Sequence, residues 1–191
     1  MYKLLTKKDL NNLRIKQYKK DAVLFHENDI CKNVGILIEG EIVIKAYTNK
    51  GKEIIYNTIS SGEMFGNNLL FSNNKQYLGD VIATKDSKVL FIDIDKLLEI
   101  LKNNKTFLKT YLTKEANTTK YLNMKIKLLS LNTLEEKFYY YLNYYNNKIV
   151  IQSITALAKE LSVQRETLSR LISKLIKEKK IIKKDKTIIL L

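Results

Sequence analysis

The distribution of glycine and proline constrains the fold of this chain more than any other feature of its sequence. The six glycines all lie between Gly35 and Gly79, and proline is absent. Glycine serves tight turns and is unfavourable inside helices, and proline breaks helices. We therefore expect a turn-rich β structure in the first half of the chain and a helical second half.

Short β-rich segments separated by turn residues fill the first half. Two apolar runs within Val34–Tyr47 meet at Glu39-Gly40-Glu41, and Asn49–Lys52 has the composition of a hairpin turn before Glu53–Ile59. A last pair is predicted at Val81–Thr84 and Lys88–Ile94. Strands spaced by roughly 8–12 residues indicate a sandwich, roll or barrel.

The scarcity of cysteine and histidine excludes several kinds of chemistry. One cysteine, Cys31, cannot form an internal disulfide, an iron–sulfur cage or a cysteine-rich zinc site. One histidine, His26, argues against a metal centre and against Ser/His or Cys/His catalysis. We predict no enzyme activity, no catalytic residues, no metal and no cofactor. The chain has no apolar run long enough for a membrane span and no secretory leader at Met1–Lys8, so we expect a cytoplasmic protein without a membrane partner.

The positive charge is concentrated in the second half of the chain. The formal net charge is +14. Residues 1–104 carry 16 basic and 13 acidic side chains, whereas residues 105–191 carry 18 and 7. An AT-rich genome could enrich lysine without any functional cause, but it would not explain this asymmetry. Two domains with different partners explain it better.

A long helix is predicted between these halves. Asp95 is a candidate cap for a short helix over Lys96–Lys102, and the chain then runs to about Leu131 without glycine or proline. Nine positions along it follow a heptad spacing: Leu101, Lys105, Leu108, Leu112, Glu115, Thr119, Leu122, Ile126 and Leu129. This seam could pack against the chain's own β domain, or it could form a parallel two-helix dimer, which its narrow and sustained spacing favours. The polar Glu115 and Thr119 could fix the register or face a ligand.

The last 45 residues, roughly, predict a helix–turn–helix followed by a basic hairpin. Ser153 is a candidate N-cap for a short helix that ends near Leu161, and Gln164–Ile176 has the periodicity of an amphipathic helix. Its predicted buried positions are Leu168, Leu171, Ile172, Leu175 and Ile176. Arg165, Glu166, Ser169 and Arg170 fall on the opposite face, and a lysine-rich segment follows at Lys179–Leu190.

The placement of arginine supports DNA reading by the second of these helices. The chain has only three arginines, Arg14, Arg165 and Arg170, among its 34 basic residues. Arginine can donate two hydrogen bonds to guanine, and glutamate can accept one from cytosine. Two of the three arginines thus lie where base recognition needs their geometry.

With these motifs in place, the chain from about residue 5 to residue 190 resembles the Crp/Fnr family of bacterial transcription regulators. Gly62–Phe71 is similar to the family segment G-D-x-x-G-E-x-x-L-F, and Arg165–Arg170 is similar to its R-E-T-x-x-R recognition helix. The resemblance implies an α+β fold with a cyclic-nucleotide-type β-roll over residues 1–102, a dimerisation helix over 103–131 and a winged helix–turn–helix over 132–191. It also implies a cytoplasmic homodimer on palindromic double-stranded DNA, with RNA polymerase as a further partner.

The resemblance also assigns roles to individual residues. Arg165, Glu166 and Arg170 are expected to read bases, with Ser169 as a fourth candidate. Thr167 and Ser153 are expected to contact phosphate, and Gln164 completes the candidate DNA-binding set.

The candidate effector pocket departs from the family pattern. The ribose-binding glutamate is replaced by Asn67, and the Arg-Ser pair that grips a cyclic phosphate falls on Tyr77 and Leu78. Without arginine the pocket lacks a charge-assisted fork, so we predict no cyclic AMP binding. A different effector, or none, stays open. So does the role of Cys31, as a redox-sensitive thiol or an ordinary loop or edge residue. We expect His26 to be a structural or surface residue rather than a haem ligand. The alternative function is a small-molecule-binding effector protein without a transcriptional role.

Overall fold

The computed structural model describes residues 1–191, which divide into two compact units, 1–114 and 115–191. Each unit has its own hydrophobic core. After a short 3-10 helix at Tyr2–Leu4, the elements of the first unit are α1 (Lys7–Leu10), β1 (Arg14–Tyr18), β2 (Val23–Phe25), β3 (Asn33–Glu39), β4 (Glu41–Tyr47), β5 (Glu53–Ser60), β6 (Met64–Phe65), α2 (Asn67–Leu70), β7 (Asp80–Ala83), β8 (Ser87–Asp93) and α3 (Ile94–Asn103). The helix α4 (Lys105–Ser130) begins in the first unit and ends in the second. The second unit continues with α5 (Leu134–Tyr144), β9 (Lys148–Val150), α6 (Ile154–Glu160), α7 (Arg165–Lys177), β10 (Ile181–Lys184) and β11 (Thr187–Leu190).

Two four-stranded antiparallel sheets form the sandwich of the first unit. Their strand orders are β1-β8-β3-β6 and β2-β7-β4-β5. Apolar side chains from both sheets, among them Ile36, Ile42 and Leu90, are fully buried in one core. The α+β class, with an antiparallel sandwich and a long helix, is therefore confirmed.

The turn between β3 and β4 shows why the glycine-rich half forms strands. Gly40 has a φ of +96°, and a Cβ atom there would lie 2.2 Å from the Ser87 hydroxyl and 2.5 Å from the Asp86 carbonyl. Only glycine fits this backbone conformation at so close an approach. The two apolar runs of Val34–Tyr47 can then turn back and pair as neighbours of β8 and β7.

The start of the helical segment differs from the sequence-based expectation in two respects. The cap of α3 is Asp93 rather than Asp95, because the Asp93 carboxylate accepts a hydrogen bond from the Lys96 amide at 2.8 Å.

Helix α3 ends at Asn103, so Leu101 lies on α3 and packs against the sandwich core instead of extending the heptad seam of α4. Asn104 separates the helices, and its side-chain carbonyl accepts from the Phe107 amide at 3.0 Å.

Helix α4 contributes to the core of each unit through side chains that lie outside the heptad seam. Phe107 and Tyr111 are buried in the core of the first unit. Met124 and Leu128 are buried in the core of the second. The face that the chain itself covers is thus a different stripe of the helix from the predicted one.

The second unit contains one helix that the sequence did not reveal. Helix α5 begins with a capping box, in which Thr133 and Glu136 satisfy each other's backbone amides. Its tyrosine-rich sequence has little contrast between apolar and polar faces, although Phe138 and Leu142 are fully buried. A three-stranded sheet in the order β10-β11-β9 completes the unit. Among the helices of the chain, none combines the length and the hydrophobicity that crossing a membrane requires.

Candidate nucleic-acid interface

Helices α6 and α7 are joined by a tight four-residue turn. Ser153 caps α6, since its hydroxyl accepts a hydrogen bond from the Ala156 amide at 3.0 Å. At the other end, Ser162 adopts a φ of +55°, which allows the Val163 amide to donate to the Ala158 carbonyl at 2.9 Å. Leu161 is fully buried and anchors the turn in the core. The start of α7 is therefore fixed by local hydrogen bonds and by packing.

Helix α7 presents one polar face to solvent and buries the opposite one. Leu168, Ile172 and Leu175 lie in the core, whereas Leu171 is half-buried and Ile176 is 41 % exposed. The prediction that Ile176 belongs to the buried face is wrong, because Leu175 is the residue of the last turn that packs into the core.

The predicted base-reading residues are all exposed near the N-terminus of α7: Arg165, Glu166, Ser169 and Arg170. Arg165 and Glu166 lie 3.5 Å apart as an exposed ion pair, which contributes little to stability and leaves both groups accessible. Thr167 is also exposed, and Gln164 occupies the N-cap position without donating or accepting a cap hydrogen bond through its side chain. The amides of the first turn therefore have no side-chain cap. A helix start of this kind suits a phosphate oxygen.

A basic hairpin follows α7. Strands β10 and β11 pair in register from Ile181–Leu190 to Lys184–Thr187, and Asp185 at the turn has a φ of +49°. Lys183, Lys184 and Lys186 are exposed at its tip. The buried residues Ile181 and Ile188 hold the hairpin on the core of the unit, so the lysines project from a fixed base.

The heptad seam of α4 is largely uncovered in the single chain. Leu112, Leu122, Ile126 and Leu129 are each more than half exposed. Leu108 and Glu115 are half-buried, and Thr119 is exposed, with its hydroxyl donating to the Glu115 carbonyl at 3.0 Å. Phe107 and Tyr111, which lie outside the seam, are the α4 residues that are buried in the core of the first unit.

The three residues of the predicted effector pocket do not share one environment. Tyr77 is 2 % exposed, and its ring stacks on Phe25 with 4.7 Å between ring centroids. The Tyr77 hydroxyl is buried beside the Cys31 thiol, and burial raises the pKa of Tyr77 above its usual value. Leu78 is 60 % exposed, and Asn67 is half-buried at the start of α2. Tyr77 thus belongs to the core of the sandwich, whereas Leu78 is mostly exposed to solvent, so the two side chains do not line one pocket.

The surroundings of Cys31 and His26 bear on the two sensing chemistries. Cys31 lies outside the strands, but its side chain is 1 % exposed, and its thiol lies near the carbonyls of Asn33 and Gly66. It is a core residue rather than an ordinary loop or edge cysteine. His26 follows β2 instead of lying within a strand, and its exposed ring is 3.5 Å from Asp80. This position fits the expected surface role.

Burial is expected to make Cys31 unreactive in the folded protein. It raises the pKa of the Cys31 thiol, and only the thiolate is the nucleophile. At about pH 8 we expect Ellman's reagent to label the folded protein slowly and the denaturant-unfolded protein at the rate of a free thiol. Equal labelling rates in the two states would contradict the buried assignment.

Comparisons with known proteins agree with this architecture. Residues 15–104 match the sequence profile of the cyclic nucleotide-binding domain. The chain is similar to CprK in complex with OCPA, with a TM-score of 0.72 and 14 % identity over 100 % of this chain and 89 % of that one. No curated protein matches the chain significantly.

Two further solved structures share the fold. A CooA mutant from Carboxydothermus hydrogenoformans has a TM-score of 0.64 and 17 % identity, with 96 % of this chain and 86 % of that chain covered. A transcriptional regulator from Thermotoga maritima has a TM-score of 0.60 and 22 % identity, with 65 % of this chain and 96 % of that one covered. At such identities, the likeness establishes a common fold.

Proposed function

We propose that this protein is a sequence-specific DNA-binding transcription regulator that acts as a homodimer on a palindromic site. One observation carries the proposal. The exposed face at the start of α7 holds two of the chain's three arginines, on a helix that the core fixes from behind. Helix–turn–helix proteins place the first residues of their second helix against base edges in the major groove. The resemblance to the Crp/Fnr family and the fold shared with a transcriptional regulator support the same class.

The residues of this surface divide by the chemistry that they offer. Arg165 and Arg170 are suited to guanine, Glu166 to cytosine, and Ser169 to either base edge. Thr167, Gln164 and Ser153 lie near helix starts and are suited to phosphate oxygens. The Ser153 hydroxyl already accepts a hydrogen bond from the Ala156 amide, and its own proton can be donated to a phosphate oxygen.

A second copy of the chain accounts for the uncovered seam of α4. Four apolar side chains on one helical stripe are exposed in the single chain, and a parallel pairing of two such helices would bury them against each other. A two-fold dimer presents two copies of α7 to the DNA, which matches a palindrome with half-sites about one helical turn apart. RNA polymerase is the further partner expected of a transcription regulator.

Cyclic AMP is not expected to bind, although the first unit matches a cyclic nucleotide-binding domain. The position at which the family grips the cyclic phosphate holds Tyr77, which fills the core instead of offering a cation. Calorimetric titration with cyclic AMP should therefore give no binding heat, and the midpoint of thermal unfolding should not change with the nucleotide. Saturable binding at micromolar affinity or tighter would refute this prediction.

Selection of genomic fragments by the purified full-length protein tests the proposed function. We expect enrichment of a discrete set of fragments that share one sequence motif with internal two-fold symmetry. Recovery of fragments in proportion to their abundance, without a motif, would mean that the positive charge alone attracts DNA. In that case the proposal of sequence-specific regulation fails.

A further inference from the structure

Three side chains connect the long helix α4 to the last residue of α6. The Tyr121 hydroxyl donates to the Glu160 carboxylate at 2.7 Å, and the Lys125 ammonium lies 3.4 Å from the other carboxylate oxygen. Lys125 also donates to the Glu160 main-chain carbonyl at 2.5 Å. We call Tyr121, Lys125 and Glu160 the Glu160 cluster. It holds both the side chain and the backbone of Glu160 on α4.

The cluster is partly shielded from water, which strengthens its charged contacts. The Lys125 and Glu160 side chains are 22 % and 30 % exposed, respectively. Tyr121 and Lys125 lie one helical turn apart on α4, and the Lys125 ammonium is 5.9 Å from the centre of the Tyr121 ring. A charge-assisted hydrogen bond in such a place is stronger and more directional than an exposed ion pair.

Apolar packing already attaches α4 to the core of the second unit through Met124 and Leu128. Apolar contacts are non-directional, so they tolerate small rotations of one helix against another. Hydrogen bonds depend on distance and angle, and therefore fix the rotation that packing alone leaves free. The Glu160 cluster supplies two such hydrogen bonds and one ion pair at one point.

That point is the beginning of the turn to α7. Glu160 ends α6, residues 161–164 form the turn, and Arg165 is the first residue of α7. We propose that Glu160 is a positioning residue for DNA reading. Held by Tyr121 and Lys125, it sets the orientation in which Arg165 and Arg170 meet the bases. This inference rests on the proposed function, and it concerns how the reading helix is oriented rather than which residues read.

Two near-isosteric variants and a charge-matched control test this role. Glu160→Gln removes the charge at the cluster, and Tyr121→Phe removes one hydroxyl. Glu178→Gln removes the same charge elsewhere in the unit, where Glu178 lies 2.8 Å from Lys180. The affinity of each full-length variant is measured for the duplex selected by the wild-type protein and for a duplex of random sequence.

We expect Glu160→Gln to bind the selected duplex about tenfold more weakly, with no loss of affinity for random DNA. Glu178→Gln should bind both duplexes somewhat more tightly, because removing a negative charge favours any DNA. Tyr121→Phe should lose part of the selectivity. A variant that combines Glu160→Gln with Tyr121→Phe should lose less selectivity than the sum of the two single losses, since both changes weaken the same hydrogen bond.

The ratio of the two affinities separates positioning from stability. If Glu160→Gln lowers the thermal midpoint but keeps the wild-type ratio, Glu160 is merely structural and the inference is wrong. If wild-type protein discriminates between the duplexes and the variants discriminate equally well, the inference fails while the proposed function stands. If wild-type protein itself does not discriminate, the proposed function fails and the positioning role fails with it.

Discussion

Replacement of Arg170 by alanine is expected to weaken binding to the selected DNA site by roughly 1–3 kcal/mol and to relax the base preference at one position of each half-site. Arg170 is exposed on the polar face of α7 and makes no ion pair within the chain. Its loss should therefore leave the thermal midpoint nearly unchanged. Equilibrium binding to the selected duplex and to single-base variants of it measures both effects.

Lys183→Ala provides the matched comparison. Lys183 is exposed near the tip of the basic hairpin, and its ammonium donates only to the Asp185 carbonyl, at 3.0 Å. A phosphate contact should weaken binding to all sequences about equally and reduce the dependence of affinity on salt. If Arg170→Ala and Lys183→Ala affected selected and random DNA alike, the assignment of base reading to α7 would be wrong.

Replacement of Leu122 by glutamate is expected to break the proposed homodimer and, with it, tight binding to a palindrome. Leu122 is 54 % exposed in the single chain, so the substitution should cost the fold of the subunit little. In a two-fold dimer, Leu122 of each of the two chains would be buried in the interface. Loss of about 2 kcal/mol per leucine gives ~4 kcal/mol, or about a thousandfold in the dimer dissociation constant. Sedimentation of the full-length protein over a range of concentrations measures that constant.

Asn117→Glu controls for the added charge. Asn117 is exposed on α4 but lies off the heptad seam, two positions beyond Glu115. This variant should sediment as the wild-type protein does and keep its affinity for the selected site. A monomeric wild-type protein, or a dimer that Leu122→Glu leaves intact, would show that the seam of α4 is not the dimer interface.

The sequence predicted best those elements whose chemistry is local. Ser153 caps α6 as expected, and the turn at Gly40 separates two strands as expected, because each depends on residues a few positions away. The cap of α3 is Asp93, two residues before the predicted Asp95. Both residues are equally good caps, and only the end of β8 decides between them.

Features that depend on contacts between distant parts of the chain could not be predicted. The family pattern predicts a pocket position for Tyr77, but its stacking on Phe25 places it in the core. The contact of Tyr121 with Glu160 joins residues 39 positions apart. Heptad spacing located the seam of α4, whereas tertiary packing decided that a different stripe, with Phe107 and Met124, is the buried one.

The stoichiometry of the DNA complex tests the central claim most directly. The full-length protein is mixed with a duplex that carries the selected palindrome, and the mass of the complex is measured beside that of a duplex with a single half-site. Two chains on the palindrome, bound cooperatively, and much weaker binding to the half-site are the expected result. One chain per palindrome, or equal affinity for the two duplexes, would contradict the assignment of this protein as a dimeric reader of palindromic DNA.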